Sequence, residues 1–139
     1  MESKIKLIAD ITVLLNDKVL LVRYKNSNKY DHQKGWFLPD DEINYGEHPN
    51  DGAARILKDQ LNIHGTDLSL NHIESFTGND RSWHLVFHYI LRTNTLPEIE
   101  KSEEIEEVKW FHINEFPAEK EIAHHGWAKY TLDEILKSN

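Results

Sequence analysis

The chain contains no cysteine, so neither a disulfide framework nor a thiolate metal site is open to it. It has only four prolines and six glycines, and shows no repeat, low-complexity tract or interdomain linker. No stretch approaches the roughly 18 uninterrupted apolar residues that a membrane-spanning helix needs, which excludes a helical membrane anchor among these residues. Positive charge is also scarce: 16 Lys and Arg stand against 24 Asp and Glu, a formal charge of −8. That balance argues against a nucleic acid polymer as partner, because non-specific backbone binding relies on clustered Lys and Arg. Met1 to Lys4 carries no apolar block or small-residue cleavage site and leads straight into a strand pattern, so a cytoplasmic location is expected.

What is present is ordinary for a folded protein: 39% apolar and 29% charged residues. A length of 139 residues suits a single domain spanning 1–139. Apolar residues alternate at Ile5, Leu7, Ala9, Ile11, Val13 and Leu15, the period of a half-buried strand. Asn16-Asp17-Lys18 is turn chemistry, and Val19 to Tyr24 resumes as a strand, giving a β-hairpin. Residues 25–35 read as a loop, Gly35 to Pro39 as a short strand, and Asp40 to Glu47 as a second loop. Pro49 suits a first helical turn. A helix over 50–61 then presents Ala53, Ala54, Leu57 and Leu61 as its apolar stripe, and Asn62 can end it. Strands are expected over 68–76, 83–92 and 108–111, with a terminal helix over 127–137 whose apolar face is Tyr130, Leu132, Ile135 and Leu136. The order of elements specifies a mixed α/β domain.

Residues 38–63, LPDDEINYGEHPNDGAARILKDQLNI, resemble the Nudix box, G-x5-E-x7-R-E-U-x-E-E-x-G-U with U a bulky apolar residue. Glu47 meets the first glutamate, Arg55 the arginine, and Leu57 and Ile63 the apolar positions. Asp41, Ile56, Asp59, Gln60 and Asn62 replace a glycine, three glutamates and a glycine, in that order. The flanks are similar to the family as well: VLLVRY before the box, GWFLP leading into it, and EEIEEVKWFHINEFP after it. The resemblance implies a Nudix-type α/β/α sandwich with a mixed sheet, one internal helix and a C-terminal helix.

The family's chemistry is hydrolysis of a diphosphate linked to a nucleoside or similar group, with Mg²⁺ or Mn²⁺ held by the box. Cations and positioning dominate such catalysis, since pyrophosphate concentrates negative charge and leaves the protein little covalent work. Hard cations prefer carboxylate oxygens. Helical spacing places positions 56, 59 and 60 on one face, and here that face reads Ile56, Asp59, Gln60. Three formal charges fall to one. Asp59 is a methylene short, Ile56 cannot ligate, and Gln60 offers a neutral amide oxygen. Losing about 4 kcal/mol of metal stabilisation would slow turnover roughly a thousandfold. Glu47 and Arg55 match the positions that form a loop–helix salt bridge in the family.

By the resemblance, the catalytic positions are Glu47, Arg55 and Asp59, and the candidate metal ligands are Asp59, Glu47 and Asp41. Asp40 and Asp41 stand where the family has glycines, residues that permit positive φ freely. With Glu42 they could move a metal site into the loop, or form a solvated acidic turn. His84 and His88, four apart on a strand, share one face and could bind a metal or act as base, or sit inert at a half-exposed sheet surface. His124 and His125 precede the last helix as loop candidates. Trp36, Tyr30 and Trp83 could stack on a planar ligand, and Arg23 and Arg81 could contact phosphate.

The expected function is a protein of the Nudix type that binds a small nucleotide-like or phosphorylated ligand, with weak or no hydrolysis. An active pyrophosphohydrolase using Mg²⁺ or Mn²⁺ through displaced ligands is one alternative. A structural or partner-binding domain, perhaps a homodimer, is another.

Overall fold

The structure is a computed structural model and describes residues 4–26, 32–64, 67–78 and 80–137. Tyr30 lies outside the described residues. The strands are β1 (Ile5–Leu15), β2 (Lys18–Tyr24), β3 (Asp40–Glu42), β4 (Ser69–Thr77), β5 (Trp83–Thr93) and β6 (Ile105–His112). Helix α1 spans Pro49–Leu61 and α2 spans Ala123–Lys137, preceded by a 3₁₀ turn at Glu119–Glu121. The sheet runs β4-β5-β1-β2-β6, with β3 paired to β1.

The expected hairpin forms: Leu14 pairs with Val19 and Leu15 with Lys18 across a tight turn in which Asn16 takes φ 52°. β1 runs parallel to β5 along its full length, from Ile5↔Trp83 to Leu15↔Thr93. It is therefore a central strand, buried on both faces from Ala9 to Leu14 rather than half-buried. One face packs Ala9, Ile11, Val13, Leu20 and Val22 against Ala53, Ile56, Leu57 and Leu61 of α1. The other packs Leu14, Val19, Leu21 and Ile90 against Ala128, Leu132 and Ile135 of α2. The result is the α/β/α sandwich, a mixed sheet between two helices.

Helix α1 begins where proline and capping permit. His48 Nδ1 accepts from the Asn50 N–H at 3.0 Å, Pro49 occupies the first turn, and Asn62 closes the helix in the left-handed conformation at φ 56°. Asparagine tolerates that conformation better than most residues, so the glycine of the family pattern is not needed there.

Several local expectations are corrected. Gly35–Pro39 makes only isolated bridges, Val22↔Phe37 and Trp36↔Ile122, whereas Asp40–Glu42, read as loop, is the strand that pairs with β1. Neither Asp40 nor Asp41 takes a positive φ, so the conformational reason for glycine does not apply at these positions. Strand β6 starts at Ile105, ahead of the expected 108–111. Ile56, not Ala54, completes the buried stripe of α1. In α2 the exposed Tyr130 and Leu136 yield the inner face to Ala128, Thr131, Leu132 and Ile135. His124, His125 and Gly126 all take positive φ at the start of α2, so regular helix begins at Trp127.

Candidate functional site

The loop between β3 and α1 is braced by one arginine. Arg55 Nε donates to Glu47 Oε2 at 2.9 Å, and its Nη2 donates to Glu47 Oε1 at 3.1 Å and to the Glu42 carbonyl at 2.9 Å. Glu47 Oε1 also accepts the Asn44 N–H at 3.0 Å. The hydrogen bonds from Arg55 hold the Glu47 carboxyl below its usual range, and the same contact raises the guanidinium. Charge-assisted, forked bonds of this kind fix geometry as well as adding energy. Gly52 lets the carboxylate lie against the helix, since a Cβ there would stand 3.0 Å from Glu47 Oε1. Asp59, largely exposed, has its Oδ2 4.0 Å from Arg55 Nη1, one turn along the helix.

Gln60 is buried, and both ends of its amide are engaged. Its Nε2 donates to the Asp40 carbonyl at 2.8 Å, and its Oε1 accepts from the Tyr24 hydroxyl at 2.8 Å. The Tyr24 hydroxyl in turn accepts the Asp40 N–H at 3.0 Å. The amide oxygen that the sequence offered as a neutral ligand is thus already taken, and an N–H faces the carbonyl.

On the opposite face of the sheet lies a cleft of about 640 Å³. Asp40, Asp41 and Glu42 of β3 line it, with Glu74 and Phe76 of β4, His84 of β5 and Trp127 of α2. His124 also reaches the cleft, with its ring edge-on to Phe37 and Trp127 at 5.8 and 5.7 Å. A shallower depression of about 480 Å³ lies along α2, away from these carboxylates.

Beneath the cleft runs a buried polar chain. His88 Nδ1 meets Asp10 Oδ1 at 2.8 Å, and His88 Nε2 meets Glu74 Oε1 at 3.0 Å. The His72 ring stacks on His88 at 4.4 Å. Burial opposes the imidazolium, but Asp10 and Glu74 outweigh it and push the His88 pKa up to about 9. Burial raises the Asp10 carboxyl, against the pull of His88. The hydrogen bond from His88 lowers Glu74, and Trp127 adds a further one. Both His84 and His88 are buried, not half-exposed as one reading of the strand had it.

Sequence reasoning missed Asp10 and Glu74. The signal for Asp10 was available: Ile8 and Leu14 flank Asp10 and Thr12 on the supposedly solvated side of β1, and such apolar neighbours mark a second buried face. Nothing comparable distinguishes Glu74 within β4.

The other candidates are dispersed. Trp36 is buried against Phe111 at 5.0 Å, with Arg23 over its ring at 4.5 Å and within 4.0 Å of Glu107. Neither lines the cleft. Arg81 sits in the β4–β5 turn at φ 68°, and Trp83 donates to Ser75 Oγ at 2.7 Å on the α1 side of the sheet. His84 lines the cleft, stacked on Phe76 at 4.7 Å. His125 is exposed.

A family model described as NUDIX domain matches residues 6–133. The chain belongs to the NUDIX domain family. Solved structures with this fold include a MutT NUDIX hydrolase from Burkholderia pseudomallei, 14% identical with a TM-score of 0.78 over 96% of this chain and 99% of that one. The NUDIX domain of Shewanella oneidensis NrtR, complexed with ADP ribose, is 16% identical with a TM-score of 0.69 over 98% and 90%. A bifunctional NMN adenylyltransferase/ADP ribose pyrophosphatase from Francisella tularensis, complexed with AMP and a Mn ion, is 18% identical with a TM-score of 0.65 over 99% and 42%. Among curated proteins none matches.

NUDIX hydrolases generally use divalent metals, but the donor set of this NUDIX domain does not fit one. Ile56 is wholly inside the core, and Gln60 aims an N–H at the Asp40 carbonyl, an acceptor otherwise able to face a cation. Glu47 is committed to Arg55, and Asp59 leans toward the same guanidinium. Among the described residues, no group of three or more His, Asp or Glu is spaced to hold a metal ion.

Proposed function

We propose that this NUDIX domain binds a nucleotide-like or other phosphorylated small molecule in the sheet-face cleft and hydrolyses it weakly or not at all. The observation that carries the reading is the Gln60 amide donating to Asp40 while Ile56 fills the core. A helix built this way has a buried alkyl group and an engaged amide where pyrophosphate chemistry needs anionic ligands. The cleft itself is retained, with Trp127 and Phe76 as aromatic lining and Lys6, His32, His84 and His124 as the basic groups available to a phosphate. The ADP-ribose complex of the Shewanella domain is consistent with a binding role on this fold. Fold alone does not confer hydrolysis.

The test is a panel of ADP-ribose, nucleoside diphosphate sugars, dinucleotides and nucleoside triphosphates, with Mg²⁺ and then Mn²⁺, read by thermal stability and by phosphate release after phosphatase coupling. A ligand that binds only the native state raises its melting temperature, so a shift without turnover supports the proposal. Turnover that Asp59→Ala abolishes defeats it in favour of an active hydrolase. Silence in both assays defeats it in favour of a structural or partner-binding domain.

A further inference from the structure

The floor of the cleft holds a half-exposed carboxylate on β4. Glu74 projects from β4, in register with Val86 of β5, on the same sheet face as His84 and His88. It lines the cleft with its side chain 44% exposed, whereas His88 and Asp10 behind it are fully buried. His88 fixes it from below at 3.0 Å, and Trp127 adds a second hydrogen bond from α2. Asp10, in turn, fixes His88 at 2.8 Å. Three strands and a helix thus converge to hold one half-exposed acceptor in a set orientation. Burying a charged pair such as Asp10 and His88 carries a desolvation cost that a surface charge would not require.

We infer that Glu74 determines which planar group the cleft accepts, its oriented carboxylate reading a pair of N–H donors of the kind guanine presents and adenine does not. This rests on the proposed nucleotide-like ligand and deepens it. An ionised carboxylate only accepts hydrogen bonds, and its two oxygens suit two parallel N–H groups. Guanine offers N1–H and the 2-amino group side by side. Hypoxanthine offers N1–H alone. Adenine sets an acceptor beside its amino group and meets the carboxylate with repulsion. The flat faces needed for such a base are at hand in Trp127 and Phe76, both lining the cleft.

Charge points the same way. Asp40, Asp41, Glu42 and Asp80 line the cleft together with Glu74, and Lys6 stands 3.7 Å from Asp80. A phosphate is disfavoured beside Glu74 and an N–H edge is favoured, which orients the ligand with its base inward. The hydrogen bond from His88 holds the Glu74 carboxyl low, keeping it an acceptor through the mildly acidic range.

Calorimetric titration of the intact chain with GDP, IDP and ADP tests this, on the wild type and on Glu74→Gln. The wild type is expected to bind GDP about tenfold or more tightly than ADP, with IDP between them, the usual scale for a bidentate base contact. In Glu74→Gln the GDP advantage should shrink to about twofold or less and ADP should bind more tightly, because glutamine sets a donor against the guanine edge while offering a donor and an acceptor that match adenine. A second variant, Trp127→Phe, keeps the aromatic face but removes the indole N–H that orients the carboxylate, and should narrow the preference. Equal wild-type binding of all three nucleotides overturns the inference and leaves the binding proposal standing. A guanine preference that persists in both variants overturns it likewise. If none of the three binds, this inference falls, and the binding proposal falls with it only when the wider panel is silent as well.

Discussion

Gln60 Nε2 donates to the Asp40 carbonyl at 2.8 Å, so strand β3 and helix α1 are joined by a neutral hydrogen bond. A carboxylate in the same position would turn an acceptor toward an acceptor, tolerable only with a cation or a proton between them. The glutamine side chain removes that requirement and, with Tyr24, leaves the buried amide satisfied at both ends.

Glu at position 60 is therefore expected to destabilise the metal-free protein. Gln60→Glu should lower unfolding free energy by about 1–3 kcal/mol, the cost of an unsatisfied buried group. The loss should recover as pH falls and the new carboxyl regains a proton to donate to Asp40. Urea denaturation at two pH values measures this, and a variant as stable as the wild type at neutral pH would contradict it.

Ile56 gives a harsher outcome. Its side chain is fully buried among Leu57, Leu61 and Ala53, so Ile56→Glu places a charge in the core and should cost at least about 3 kcal/mol. Glu at both 56 and 60 would restore two carboxylates of the family pattern. The packing now predicts that the double variant loses stability first, and that Mn²⁺ does not rescue its melting temperature.

Arg55 closes the loop through two bonds to Glu47 and one to the Glu42 carbonyl. Arg55→Ala should cost about 1.5–3 kcal/mol, the range for hydrogen bonds to charged groups. Arg55→Lys should recover little of it, because an ammonium cannot reproduce the fork. Equal stability of wild type and Arg55→Lys, measured by denaturant titration, would show that charge alone braces the loop.

His88 should make stability depend on pH. Its folded pKa of about 9 lies above the unfolded value of 6.5. The stabilisation is therefore fully present below about pH 6.5 and is lost as pH rises through about 9. The upper bound is about 3 kcal/mol, part of it offset by Asp10, whose own pKa burial raises. Melting temperature should fall across that window in the wild type. His88→Gln should be less stable at neutral pH and should lose the slope; a slope that survives in the variant assigns it to another group.

Much of the fold was legible because the hairpin, the α1 stripe and the flanks of the box follow local rules: alternation at Ile5 to Leu15, Pro49 before the helix, Asn62 after it. The errors come from tertiary pairing. Asp40–Glu42 reads as a polar loop, yet β1 supplies a partner strand at Ala9↔Asp41. The apolar Gly35–Pro39 segment reads as a strand but finds only single bridges. The substitutions on α1 were visible in sequence, but the destination of each side chain was not. Glu74 escaped notice because the groups that hold it, His88 and Trp127, are 14 and 53 positions away along the chain.

Anomalous diffraction from crystals soaked in millimolar Mn²⁺ tests most directly whether the helix has given up its cation. No anomalous peak is expected within about 2.2 Å of carboxylate oxygens of Asp59, Glu47 or Asp41, the distance at which such ions are ligated. An octahedral Mn²⁺ bound by those carboxylates, with Arg55 swung away from Glu47, would contradict it.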